Sequence, residues 1–288
     1  MTQSQIKFAY LGTPQFSTLV LDELLKADLL PSLIVTTPDR RAGRGLALTA
    51  SPVKEWALAH LIPVIQPEHF DETTLATFAE ESFDLLIIAA YGKILPKELL
   101  ALPLYGSLNV HPSLLPRYRG TSPVESQILA DEKEVGVSVI LMDEKVDHGP
   151  IVGRQKVTVP EWPVSRNTLN TLLWSAGGKL LAEILPRFIS QEITTIPQNH
   201  DEATFTKKIT KEDGELTLTG DARENYLKYL AYEGWPGTFF FNSSTDGQKR
   251  FKITRARLAP SPTGSRFIIE RVIPEGGTET NYTALSVS

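Results

Sequence analysis

Cysteine is missing altogether from the 288 residues. That absence excludes disulfides, cysteine nucleophiles and thiolate-held metal or iron–sulfur centres. Long apolar runs are missing as well. The longest, Leu85 to Tyr91, is far below the ~18 residues a membrane span needs. The opening Met1-Thr2-Gln3-Ser4-Gln5 is polar and runs into an apolar stretch too short for a signal core. No targeting segment is evident, and a cytoplasmic location is expected. Excess positive charge is lacking too: 29 Lys and Arg face 34 Asp and Glu, a net of −5. Taken whole, that balance argues against nucleic-acid binding, because phosphate contact needs clustered cations. Gly12-Thr13-Pro14 is not a G-x-G-x-x-G loop, so the dinucleotide fingerprint is absent. Repeats and low-complexity tracts are absent as well.

What is present is an ordinary globular composition, 41% apolar and 22% charged. The length suggests two domains at roughly 100–200 residues each. Strand-like and helix-like segments alternate over the first two-thirds. Strands are predicted at 6–11, 33–36, 63–65, 84–90, 107–111, 135–142 and 151–159, and helices at 53–61, 71–79 and 165–190. Phe16, Leu19, Val20, Leu24 and Leu25 give a helical stripe after the first strand. Ser51-Pro52 and Ser122-Pro123 read as N-caps with proline at the first helical position, the second opening a helix through Ala130. This alternation predicts an α/β fold with a mostly parallel sheet, whose ligands bind beyond the strand carboxyl ends. After Gln191 the texture changes. A polar linker leads to strand-like pieces at 239–241, 251–253 and 267–269 and one helix near Arg223 to Tyr232. The expected organisation is residues 1–190, a linker at 191–204, and a β-rich domain at 205–288.

The charge is unevenly shared. Residues 205–288 hold 12 Lys and Arg against 10 Asp and Glu, a net of +2, which leaves −7 for residues 1–204. Within the second domain, Lys249, Arg250, Lys252, Arg255, Arg257, Arg266 and Arg271 face one acid, Glu270, in the stretch 249–271.

Three polar residues are candidates for chemistry. Asn109 and His111 are two apart at a strand end, so they share a face. Asp147 follows the strand at 135–142. An amide and an imidazolium can donate to a developing oxyanion, and a carboxylate can orient the imidazole and move a proton. The set suits acyl transfer to an acceptor that brings its own amine. His111 and His148 lack a local metal-binding spacing, so no metal is expected. His60 and His200 are given no role.

The run Asn109-Val110-His111-Pro112-Ser113-Leu114-Leu115-Pro116-Arg117-Tyr118-Arg119-Gly120 resembles the signature of the 10-formyltetrahydrofolate-dependent formyltransferases. Asp147 falls where that family keeps its third catalytic residue. The resemblance implies a Rossmann-like formyltransferase domain with a smaller, barrel-like β domain. It implies 10-formyltetrahydrofolate as formyl donor, contacted by Ser113, Leu114, Leu115 and Pro116. Ala90-Tyr91-Gly92-Lys93-Ile94-Leu95-Pro96 resembles a family stretch near the pterin pocket, which implies roles for Tyr91 and Gly92.

Family members differ in their acceptor. Pro38-Asp39-Arg40-Arg41-Ala42-Gly43-Arg44-Gly45 resembles the loop that grips the acceptor end of methionyl-tRNA, implicating Arg40, Arg41 and Arg44. The stretch from Ala203 to Asp213, Gly234-Trp235-Pro236-Gly237 and the cations at 249–271 resemble the second domain of the same members. The implied function is formyl transfer to initiator methionyl-tRNA by a monomer, with no membrane partner and with Phe16 lining a methionine pocket. A nucleotide-sugar N-formyltransferase is the alternative. A folate-gated RNA-binding protein and a hydrolase are remoter ones. Some positions depart from the family pattern: Pro112 stands for a common Gly, His148 for a Thr, Leu46-Ala47-Leu48 for lysines, and the tail after Gly277 is short.

Overall fold

The computed structural model describes residues 6–42, 47–244, 247–262 and 264–282. The chain order is β1 (Phe8–Gly12), α1 (Gln15–Lys26), β2 (Leu33–Val35), β3 (Arg40–Ala42), β4 (Ala47–Thr49), α2 (Pro52–Ala59), β5 (Val64–Ile65) and α3 (Glu72–Glu81). Next come β6 (Leu85–Ala89), α4 (Lys97–Ala101), β7 (Ser107–His111), α5 (Pro123–Leu129), β8 (Val135–Leu141), β9 (Ile151–Val157) and α6 (Arg166–Ile189). Then follow α7 (Ala222–Ala231), β10 (Thr238–Ser244), β11 (Gly247–Ser261), β12 (Gly264–Pro274) and β13 (Thr280–Asn281).

Two compact units result, and neither is one continuous segment. The first comprises 1–120, 134–158 and 170–205; the second comprises 121–133, 159–169 and 206–288. The sequence division at 191–204 therefore differs from the packing. The segments that carry α5 and the start of α6 pack with the C-terminal residues, because α5 contacts α7.

In the first unit a seven-stranded sheet runs β5-β2-β1-β6-β7-β8-β9. The five strands from β5 to β7 are parallel, and β8 and β9 are antiparallel. Every position of β1 and β6 is buried, as a sheet covered on both faces requires. Alternate residues divide between the faces. Ala9, Leu11, Leu33, Val35, Leu86 and Ile88 form one apolar cluster with Phe78 of α3 and Leu99 of α4. On α1 the buried stripe is Ser17, Thr18, Val20, Leu21 and Leu24, while Leu25 is exposed. The helical period holds, but its phase shifts because the Ser17 hydroxyl turns inward to bond Tyr10 and the Ala89 carbonyl.

Gly177 and Gly178 lie inside α6, where each costs ~1 kcal/mol relative to alanine. A Cβ on Gly177 would come within 2.6 Å of Val110 on β7, and one on Gly178 within 2.9 Å of the Val20 backbone on α1. Overpacking of that kind costs typically ~1–3 kcal/mol, so close approach outweighs helix propensity. Val110 is the residue between Asn109 and His111.

The caps divide. Ser51 Oγ accepts from Lys54 N at 3.1 Å, as its position predicts. Ser122 makes no side-chain cap bond; its own N–H donates to Thr206 Oγ1 instead. Helix α4 has no counterpart among the elements predicted from sequence: its five residues are too few to show a period.

The second unit holds a four-stranded antiparallel sheet, β10-β11-β12-β13. Phe240, Ile253 and Val272 form its core with Leu216. This antiparallel sheet is the smaller β-rich unit expected from the sequence. Tyr282 packs edge-on against Phe240 and extends that core.

Candidate active site

Strand order reverses between β1 and its two neighbours, β2 and β6, and sheets of this kind hold ligands beyond the carboxyl ends of the strands at such a point. Thr13 Oγ1, after β1, donates to the Tyr91 carbonyl, after β6, at 2.9 Å and ties the two loops together. The carboxyl end of β7 lies beside β6 and presents Asn109 and His111 on one face.

Asp147 joins them. Asn109 Nδ2 donates to Asp147 Oδ1 at 3.2 Å, and His111 Nδ1 lies 3.5 Å from the same oxygen. The Gly120 N–H donates to Asp147 Oδ2 at 2.8 Å. The three sequence candidates are therefore one cluster. The His111 side chain is 5% exposed and that of Asp147 11%.

The partners of His111 decide which ring nitrogen donates. Nε2 lies 2.9 Å from the Tyr118 carbonyl, which can only accept, so Nε2 carries a proton. A neutral ring would then turn the Nδ1 lone pair toward a carboxylate oxygen. A proton on Nδ1 would turn that 3.5 Å contact into a hydrogen bond to Oδ1. His111 thus has both nitrogens engaged, and the oxyanion-donor role expected of it needs Nδ1–H to turn away from Asp147. The second N–H of Asn109 has no protein partner among the described residues.

The loop after β7 is held rigidly. Ser113 is fully buried, and its hydroxyl donates to the Arg117 carbonyl at 2.6 Å. Ser138 Oγ accepts from Leu115 N and donates to the Ser113 carbonyl. Leu115 packs with Ile140 and Ile151, and its carbonyl accepts from Arg154. The side chains of Ser113 and Leu115 are therefore committed to the fold. Leu114 is half-buried, and Pro116 is buried after a cis peptide bond.

Tyr91 is 2% exposed, and its hydroxyl has no partner among the described residues. Burial pushes that phenol up to about 12. Gly92, at φ +84°, is exposed beside it. Phe16 stacks on Trp174 with ring centroids 5.1 Å apart.

Arg40 and Arg41 lie on an exposed two-stranded ribbon, β3–β4, rather than in an irregular loop. Arg44 falls outside the described residues. Asp39 anchors the base of the ribbon: it accepts from Lys54 Nζ and Gln66 Nε2, each at 2.7 Å. Those donors hold its carboxyl below the usual aspartate range.

All seven cations of 249–271 are exposed. Arg250 and Lys252 are even-numbered and Arg255 and Arg257 odd-numbered, so plain alternation would put them on opposite faces. Register shifts between Ile253 and Ala256 change the phase and keep all four exposed. Glu270 pairs with both Arg255 and Arg257 at 2.8 Å, and Glu279 pairs with Arg271 at 3.1 Å.

Gly120 and Tyr118 lie inside the quoted motif, yet sequence reasoning assigns them nothing, because backbone groups leave no mark in a residue pattern. Polar side chains gathered beyond the carboxyl ends of a mostly parallel, doubly wound sheet define an α/β enzyme. The chain belongs to the formyl transferase family: residues 6–185 match that family's model, described as Formyl transferase. The methionyl-tRNA formyltransferase of Chloroflexus aurantiacus is 41% identical over 238 residues, covering 82% of this chain and 76% of the relative. That of a Thermus thermophilus strain is 38% identical over 275 residues, covering 94% and 86%. A solved methionyl-tRNA formyltransferase from Clostridium thermocellum superposes with a TM-score of 0.61 at 16% identity, covering 93% of this chain and 99% of that one. At that identity the superposition shows the fold alone.

Proposed function

We propose that this protein transfers a formyl group from 10-formyltetrahydrofolate to the α-amino group of methionyl-tRNA. The observation that carries the reading is the Asn109–His111–Asp147 cluster, closed to within 3.5 Å in a chain of this family.

When bound, the folate supplies the formyl carbon. Asn109 Nδ2 donates to the oxyanion that develops on the formyl oxygen. The pair of Asp147 and His111 takes the proton that the attacking amine loses as its bond to the formyl carbon forms. It returns one proton to N10 as the carbon–N10 bond breaks, so the pair ends as it began. No nucleophilic side chain is needed, in keeping with a chain without cysteine.

Tyr91 and Gly92 are assigned to the pterin end of the donor, where the unpartnered Tyr91 hydroxyl suits a ring rich in acceptors. Of the loop after β7, Leu114 and Pro116 supply side-chain contact, and Ser113 and Leu115 contribute backbone. Phe16, on Trp174, is assigned to the methionine side chain. Arg40, Arg41, Arg44 and the exposed cations of β11 and β12 are assigned to tRNA phosphates. A monomer in the cytoplasm suffices, because one cluster completes the chemistry.

The test is transfer of radiolabelled formyl from 10-formyltetrahydrofolate to charged initiator tRNA. Transfer to methionyl-tRNA is expected. Transfer only to an amino sugar nucleotide, or release of formate without an acceptor, would overturn the reading.

A further inference from the structure

Asp147 occupies the left-handed region at φ +48°. A non-glycine residue keeps that conformation where its surroundings hold it there. Gln198, far along the chain and buried at 6% exposure, bonds this turn. Its Nε2 donates to two carbonyls, that of Asp147 at 2.9 Å and that of Gly149 at 2.7 Å. Its Oε1 accepts from Arg119 Nε at 3.1 Å and Nη2 at 2.6 Å.

The orientation of the amide is fixed by chemistry. Arginine only donates and a carbonyl only accepts, so oxygen faces Arg119 and nitrogen faces the carbonyls. Arg119 is held in turn. It is 3% exposed, its N–H donates to the Thr204 carbonyl at 2.9 Å, and its Nη2 reaches His200 Nδ1 at 2.9 Å. A fully engaged buried network of this kind fixes one geometry.

We propose that Gln198 is a positioning residue for the formyl-transfer reaction. It clamps the Asp147–Gly149 turn so that the Asp147 carboxylate meets both Asn109 and His111, and Arg119 sets which way its amide faces. The inference rests on the function proposed above. It makes Gln198 act through Asp147 and gives it no contact with substrate. Misplacing a reacting group by about 1 Å can cost about a hundredfold in rate.

Gln198→Leu removes both halves of the amide. Gln198→Glu keeps the acceptor for Arg119 and replaces the donor, turning an oxygen toward two carbonyls. Both variants are expected to lose about tenfold to a hundredfold in kcat with KM for folate and tRNA unchanged. Because the residue acts through Asp147, the same changes in an Asp147→Asn background should cost little more. Unchanged kcat, or an equal loss in both backgrounds, would overturn the clamp. So would a crystal structure of Gln198→Glu in which Asp147 keeps its contacts to Asn109 and His111. That structure judges the clamp even if Gln198→Leu fails to fold or if the wild-type protein fails to formylate methionyl-tRNA. The latter result would overturn the function and leave the clamp to the structure.

Discussion

Asn109 and Asp147 show how little of a site resides in one residue. Asn109 commits one N–H to Asp147, and the proposed mechanism gives the other to the oxyanion. Removing a single oxyanion donor costs ~10²–10³ in kcat. Asn109→Ala is therefore expected to retain its fold, bind folate and lose activity by that factor; near wild-type turnover would sink the assignment. The Asn109–His111 pair was legible from the sequence, because alternation on a strand puts residues two apart on one side. Asp147 stood out only as a polar residue after the strand at 135–142, and the resemblance set it beside the other two. Nothing in Val146-Asp147-His148-Gly149 announces a left-handed aspartate, and Gln198 carries no local signal at all.

At the scale of elements, the ribbon β3–β4 presents Arg40 and Arg41 on a base tied by Asp39, Lys54 and Gln66. Arg41→Leu is expected to raise KM for tRNA, leave folate binding unchanged and reduce the salt slope of tRNA binding by about one. Kinetics with tRNA that ignore both the substitution and the salt would reject this role. The paired strands β11 and β12 make a second prediction. Glu270 neutralises two arginines at once. Glu270→Gln should therefore tighten tRNA binding and steepen its salt dependence by about one. A weaker complex at every salt concentration would mean that Glu270 holds Arg255 and Arg257 in position instead of masking them. The cations were legible as a run, but their pairing and the bulge that aligns them were not. Both depend on which residue faces which across strands.

Over the whole molecule, carboxylates set the response to acid. Arg223 donates to both oxygens of Asp131 at 2.8 Å, and Trp162 adds a third bond at 2.7 Å. These donors, Arg223 first, hold the Asp131 carboxyl below its ordinary value of 3.8. A lowered folded pKa stabilises above the unfolded value, and the contribution is lost as pH falls through the folded one. Asp131→Asn should lower Tm at neutral pH, and the difference should vanish in strong acid. A constant difference at all pH values would show that packing, not charge, is responsible. The net of −5 also acquires a location. The acidity belongs to residues 1–204, while exposed arginines collect on the ribbon and on β11 and β12.

The sequence alone determined the strands of the seven-stranded sheet and the helical periods, and it marked Asn109, His111 and Asp147 as candidates, because side-chain period and chemistry are local properties. Only the tertiary structure decided that Asn109 and Asp147 meet across 38 positions, with His111 against the same carboxylate oxygen. It also decided that Gln198 turns an aspartate into place, that Glu270 and Glu279 cover arginines, and that α5 packs with the C-terminal residues. Those outcomes depend on contacts between distant segments, whose geometry is fixed only when the whole sheet and its loops have closed.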